Sequence, residues 1–198
     1  MFSYKLRPDV QIENKNHGCN LFSLVTEHYL YWKSYEPLEL IKALQEQWIN
    51  EDDMAALFSQ SPEFPDWPNF FYFFDKLISA GFLIARFSQN GGLVFSINPA
   101  PKKSVYQTSL IQPMTRYHLS RFALIRQEDG EMVLESPLTP CRFIIHKKEV
   151  FELLFNLRLG MIPDTSKDEF NTLLAALCST EIIEVFDNKQ KDSHDSLD

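Results

Sequence analysis

Three cysteines and five histidines are the residues of this chain best suited to metal or nucleophilic chemistry, and their spacing does not bring them together. His17 and Cys19 flank Gly18, a separation that could serve a metal or activate a thiol. A zinc site needs a second ligand pair. Cys141, Cys178, His118 and His146 show no C-x-x-C or H-x-x-x-H grouping, so Cys19 reads as a small buried residue beside a turn histidine. No metal site is expected.

Other candidates fail in the same way. The acidic run Glu51-Asp52-Asp53 follows Asn50, which places carboxylates at the positive end of a starting helix and explains them without catalysis. Asn90-Gly91-Gly92 lacks the GxxxxGK[ST] pattern of a phosphate loop and lies between two apolar runs, where it marks a hairpin turn. Ser136-Pro137 has no GxSxG around it. No catalytic residue is nominated.

The elements that would carry a site are clearer than any site. Phe70, Phe73, Phe74, Leu77 and Ile78 stand at i, i+3, i+4, i+7 and i+8, one face of a helix. The same spacing returns one hundred residues later at Phe170, Leu173, Leu174, Leu177 and Cys178. Each stripe runs into an apolar extended stretch, GFLIARF from Gly81 and EIIEVF from Glu181. Upstream of the first stripe, Lys5–Glu13, Asn20–Glu27 and His28–Tyr35 read as three strands. Helices follow, over Leu38–Trp48, about Glu51–Ser59 and about Pro68–Ala80, the last capped by Asp66. A hairpin around Asn90-Gly91-Gly92 closes the unit. In the second copy, two strands around Glu128-Asp129-Gly130 and a third in CRFIIHK precede a helix from Lys148 to Leu157. The helix bearing the stripe then begins near Ser166, with Glu169 as its capping-box partner. The expected fold is α+β: two tandem winged helix-turn-helix modules, 1–99 and 117–187, the second shortened by one helix. Residues 100–116 form a linker and 188–198 a disordered polar tail.

Bulk composition limits the partners. Lys and Arg number 19 against 27 Asp and Glu, a net charge of −8 shared by both halves, which disfavours nucleic acid and anionic lipid. The presumed recognition helix, NFFYFFDKLISA, offers a single cation, Lys76. A DNA reader presents Arg, Lys, Asn or Gln there. No apolar run approaches the roughly 18 residues of a membrane span, no signal peptide opens the chain, and the scattered cysteines suit a reducing cytoplasm.

The second copy resembles a known family. Leu119-Ser120-Arg121-Phe122-Ala123, Arg126, Gly130 and Leu134-Glu135-Ser136-Pro137-Leu138 are similar to the N-terminal part of SagB-type dehydrogenases, FMN-dependent azoline oxidases of thiazole- and oxazole-modified peptide biosynthesis. The layout of both copies resembles the winged-helix peptide-recognition modules of ribosomal-peptide maturation. The resemblance implies recognition of a precursor or leader peptide beside a flavin-dependent dehydrogenase. FMN would be held by a following domain or a partner, and this chain, with no residue assignable to flavin, would carry no cofactor. The sequence reaches a polar tail where the family's catalytic domain would begin, so either a split or truncated member or an excised N-terminal region of a longer protein is expected. Two alternatives stand beside this reading: a fragment or subunit of the dehydrogenase itself, and a winged-helix transcription regulator.

A peptide can add to an exposed third strand, with apolar pockets supplied by the third helix. In copy one the candidates are Tyr29, Tyr31 and Lys33 on the strand, with Phe71 and Tyr72 off the core stripe of the helix. In copy two they are Arg142, Ile144 and His146 on the strand, with Asn171, Leu174 and Lys167 on the helix. Lys33, Arg142 and Lys147 would suit an acidic leader. Seventeen phenylalanines against six glycines suggest an aromatic surface able to form a homodimer.

Overall fold

The computed structural model of the chain describes residues 1–15, 18–24, 26–31, 37–59, 66–101, 111, 115–159 and 168–185. The first hundred residues supply β1 (Phe2–Leu6), β2 (Gln11–Lys15), β3 (Gly18–Phe22), β4 (Glu27–Tyr31), α1 (Leu38–Glu46), α2 (Glu51–Ser59), α3 (Trp67–Ser79), β5 (Leu83–Gln89) and β6 (Gly92–Asn98). The rest supply β7 (Tyr117–Leu119), β8 (Leu124–Glu128), β9 (Glu131–Glu135), β10 (Arg142–Ile145), α4 (Lys148–Arg158), α5 (Asp168–Ser179) and β11 (Ile183–Val185). The class is α+β.

Local chemistry sets most boundaries. The Asn50 side chain accepts from the Asp53 amide at 2.9 Å, and the carboxylates of Glu51, Asp52 and Asp53 occupy the first turn of α2. Asp66 caps α3 by accepting from the Asn69 amide, with Pro68 in the first turn. Asn90 at φ 51° and Gly91 at φ 77° turn β5 into β6, and Asp129 at 50° and Gly130 at 85° turn β8 into β9. Two consecutive left-handed residues make the turn whose twist matches paired strands. All five stripe residues of α3 are buried, with Phe70 stacked on Phe74 at 5.6 Å and Tyr4 edge-on to Phe74 at 4.9 Å. On α5, Phe170, Leu173, Leu174 and Leu177 are buried at the same spacing.

The expected first strand, Lys5–Glu13, is two elements. Pro8 has no amide hydrogen for a ladder, the Val10 amide turns back to the Arg7 carbonyl, and the Arg7 guanidinium holds Asp9 through two hydrogen bonds. The chain therefore breaks between β1 and β2, and the two strands enter different sheets. The antiparallel trio β2-β3-β4 stands as one sheet, while β1 leads a six-stranded sheet of order β1-β5-β6-β10-β9-β8. A short pair, β7 with β11, closes the second copy.

The central ladder joins the first hundred residues to the rest of the chain. In β6, Phe95, Ser96, Ile97 and Asn98 face Ile145, Ile144, Phe143 and Arg142 of β10, while its other edge pairs with β5. Apolar packing follows the same division. One cluster gathers Tyr4, Leu21 and Leu30 with the buried faces of α1, α2 and α3; the other gathers Phe87, Phe95 and Ile97 with β10, α4 and α5. Phe2 packs against both. The expected tail lies outside the described residues, as do most of the linker, the segment where copy two was expected to lack a helix, and Ser166. The Glu169 side chain also lies outside them, so the capping box is not seen.

Candidate functional site

A sheet edge is a row of unpaired amides and carbonyls, so the four edges of the two larger sheets are the natural places for an extended ligand. Three of them are occupied or blunted. On β1, Tyr4 and Ile49 exchange two backbone hydrogen bonds at 2.8 and 3.0 Å. On β2, Glu13 and Lys15 pair at 2.6 Å on a strand whose residues are nearly all exposed. On β8, Arg126 bonds Glu128 at 2.7 Å and Glu135 at 2.9 Å.

The fourth edge, β4, has an aromatic rather than a charged border. Leu30 points into the core at 5% exposure, whereas Tyr29 and Tyr31 are 48% and 58% exposed on the opposite face. Among the described residues no strand pairs with its outer side. Tyr29 leans over Gly18, and the register sets Gly18 against Tyr31. On α3, Phe71 stacks on Trp67 at 5.4 Å and, with Phe74, Asp75 and Ile78, lines a mainly apolar hollow of about 340 Å³. Tyr72 is not among the described lining residues; it is 67% exposed and carries Lys76 over its ring at 5.1 Å. Lys33 lies outside the described residues.

The corresponding arrangement in copy two is closed. Arg142 and Ile144 stand on β10, which is hydrogen bonded on one side to β6 and on the other to β9. No strand can add there. The expected exposed third strand of copy two is thus corrected: β6 from the first copy fills the position a ligand would take. Leu174 is fully buried in the second core and cannot line a groove, and Lys167 lies outside the described residues.

His146 follows β10, and its Nε2 lies 3.0 Å from the Ser96 hydroxyl of β6, with Nδ1 3.6 Å from Glu131. It satisfies a buried serine across the junction of the copies. Burial of the ring lowers its pKa below the ordinary 6.5, opposed by the Glu131 carboxylate. A depressed base takes up protons more readily when unfolded, so His146 makes stability fall as pH drops below 6.5 and level off above it. His146→Gln is expected to flatten the decline in urea midpoint between about pH 7 and about pH 5. An unchanged decline would show that another group governs it.

Sequence reasoning missed a cleft at the junction. About 910 Å³ in volume, it is bordered by Arg7, Thr26, Ile78, Glu135, Cys141 and Arg142 among others. Its walls come from residues far apart in the chain, and the β6–β10 pairing that assembles them has no local signature. The Arg7 guanidinium bonds Asp9 twice and the Gly81 carbonyl at 3.1 Å. Arg142 bonds Glu128 through Nη2, while its Nε has no acceptor among the described residues. None of the described lining residues is aromatic, so no flat partner for an isoalloxazine ring stands among them.

The thiols offer no nucleophile. Burial pushes Cys19 and Cys178 up to about 11 and raises Cys141 as well. Among the described residues no group of three or more His, Cys, Asp or Glu could hold a metal ion, and no helix is long and apolar enough to cross a membrane.

Residues 117–196 match the family model of the cyanobactin oxidase ThcOx. No curated protein matches the chain. The matched segment starts at β7 and runs through the second copy, including the residues of the resemblance noted in the sequence, and it relates this part of the chain to the oxidases of modified-peptide maturation. β4 and α3 lie outside it.

Proposed function

We propose that this chain recognises a precursor peptide in the maturation of ribosomally made, azole-modified peptides and presents it to an FMN-dependent, SagB-type dehydrogenase. On this reading each copy is a winged helix-turn-helix module, 1–99 and 117–187. The first binds the peptide by strand addition on β4, and the second, matched to the oxidase model, associates with the flavoprotein. The carrying observation is the difference between the two third strands. Among the described residues β4 has no strand on its outer edge, which is bordered by Tyr29 and Tyr31, whereas β10 is already paired on both sides. Main-chain hydrogen bonds would provide affinity, and the Phe71 hollow would take an apolar side chain of the peptide. On this reading the oxidation itself belongs to the partner's flavin. DNA binding gains no support: Lys76, the one cation of α3, lies over Tyr72.

The test is a fluorescence anisotropy titration with labelled leader peptides of azole-modified precursors. A leader is expected to bind the wild-type chain, with Tyr31→Ala and Phe71→Ala each weakening it about tenfold, as removal of an aromatic anchor does. Lys42→Ala, an exposed cation of α1, should leave it unchanged. Equal affinities for wild type, Y31A and F71A would overturn the placement on β4, and absence of binding to any leader would overturn the function.

A further inference from the structure

The hollow on α3 and the cleft at the junction share a wall. Ile78 lines both, and Thr26, the residue just before β4, also borders the cleft. A peptide lying along β4 therefore leads into the cleft at the amino-terminal end of that strand. Every strand pair among the described residues is antiparallel. A peptide added in the same sense has its carboxyl-terminal continuation at that end.

The cleft also has a chemical preference. Its described border carries two guanidiniums, Arg7 and Arg142, against one carboxylate, Glu135, in a chain whose net charge is −8. Arg7 is tied to Asp9 and to the Gly81 carbonyl and Glu135 is bound by Arg126, while the Arg142 Nε has no acceptor among the described residues. A guanidinium offers five N–H groups and favours carboxylates.

We infer that the cleft between the two copies is a second subsite for the same peptide, receiving an acidic segment carboxyl-terminal to the strand seated on β4 and holding one of its carboxylates through Arg142. This rests on the peptide-recognition reading and adds a direction, a charge and a residue to it. Arg142 is thereby moved from an edge it does not possess to a cleft wall.

The test uses fluorescein-labelled synthetic peptides sharing one strand-forming core, selected by phage display on the full chain. One is lengthened at its carboxyl end by Gly-Ser-Glu-Glu, one at its amino end by Glu-Glu-Ser-Gly, and one at its carboxyl end by the neutral Gly-Ser-Gln-Gln. The carboxyl-terminal acidic extension is expected to tighten binding about tenfold over the core, the other two by less than about twofold. Arg142→Gln should remove the gain while retaining affinity for the core. Equal gains from the acidic and neutral extensions, or from the two ends, would overturn the inference on the wild-type protein alone, as would a gain that survives Arg142→Gln. In those cases a core that still binds leaves the strand-addition reading standing. A core peptide that fails to bind removes that reading and this one together.

Discussion

Phe95→Ala is expected to lower stability by about 3–5 kcal/mol, the cost of emptying a fully buried aromatic site, and to lower it for both copies at once. Phe95 has no exposed surface; its ring stacks on Phe87 at 5.4 Å and lies 6.4 Å from Phe143 and 6.2 Å from Phe2. Those neighbours belong to β5, β10 and β1, so the cavity opens where strands from both copies meet. β5 carries Leu83 and Ala85 into the first core and Phe87 into the second, so loosening one core withdraws a wall of the other. The three tryptophans, Trp32, Trp48 and Trp67, all fall within the first hundred residues of the sequence. Urea unfolding followed by tryptophan fluorescence and by far-ultraviolet circular dichroism should give coincident midpoints in wild type, shifted together in F95A. A fluorescence midpoint that stays in place while the dichroism midpoint falls would show that the copies unfold separately.

The second large effect is expected at Gly18, where stability and binding meet. A Cβ on Gly18 would overlap the Leu30 carbonyl oxygen and sit 2.9 Å from the Tyr29 hydroxyl. The tyrosine can swing aside, but the carbonyl is backbone and moves only if β4 moves. Gly18→Ala is therefore expected to cost about 2–3 kcal/mol, as overpacking does. It should also displace the edge on which a peptide would form its ladder. Leader binding should fall by an order of magnitude or more. The measurement is a urea midpoint together with an anisotropy titration of the folded variant. A destabilised G18A that binds as tightly as wild type would move the peptide away from β4.

What could be read without a structure was local. The i, i+3, i+4 spacing through Phe70 and Ile78 identified the buried face of α3, and Asn50 and Asp66 marked helix starts that their side chains do cap. Asn90-Gly91 announced a tight turn because left-handed backbone is cheap for those residues. The misread first strand had its own local signal in Pro8, outweighed by the alternation of Leu6, Val10 and Ile12. The site was legible only in part. Tyr29 and Tyr31 were read as lying on an exposed strand face, and both are exposed on β4. Whether a strand has a free edge is settled by its neighbours, and nothing in CRFIIHK reveals that β6 pairs beside it. The same pairing explains why Arg142 was assigned to an edge and found on a cleft, and why Leu174, on a helix face wholly covered by the second core, was taken for a groove residue.

The central claim is that a peptide binds as an added strand on β4, and it is tested most directly by methylating the peptide's own backbone nitrogens one at a time. An added strand directs alternate N–H groups to its partner and the intervening ones to solvent. Methylation at every second residue of the strand-forming core should abolish binding, while methylation at the residues between should leave it nearly intact. The pattern should reverse its phase nowhere along the five residues that face β4. Loss of binding without alternation, or tolerance of methylation at all positions, would contradict strand addition and with it the functional reading of this protein.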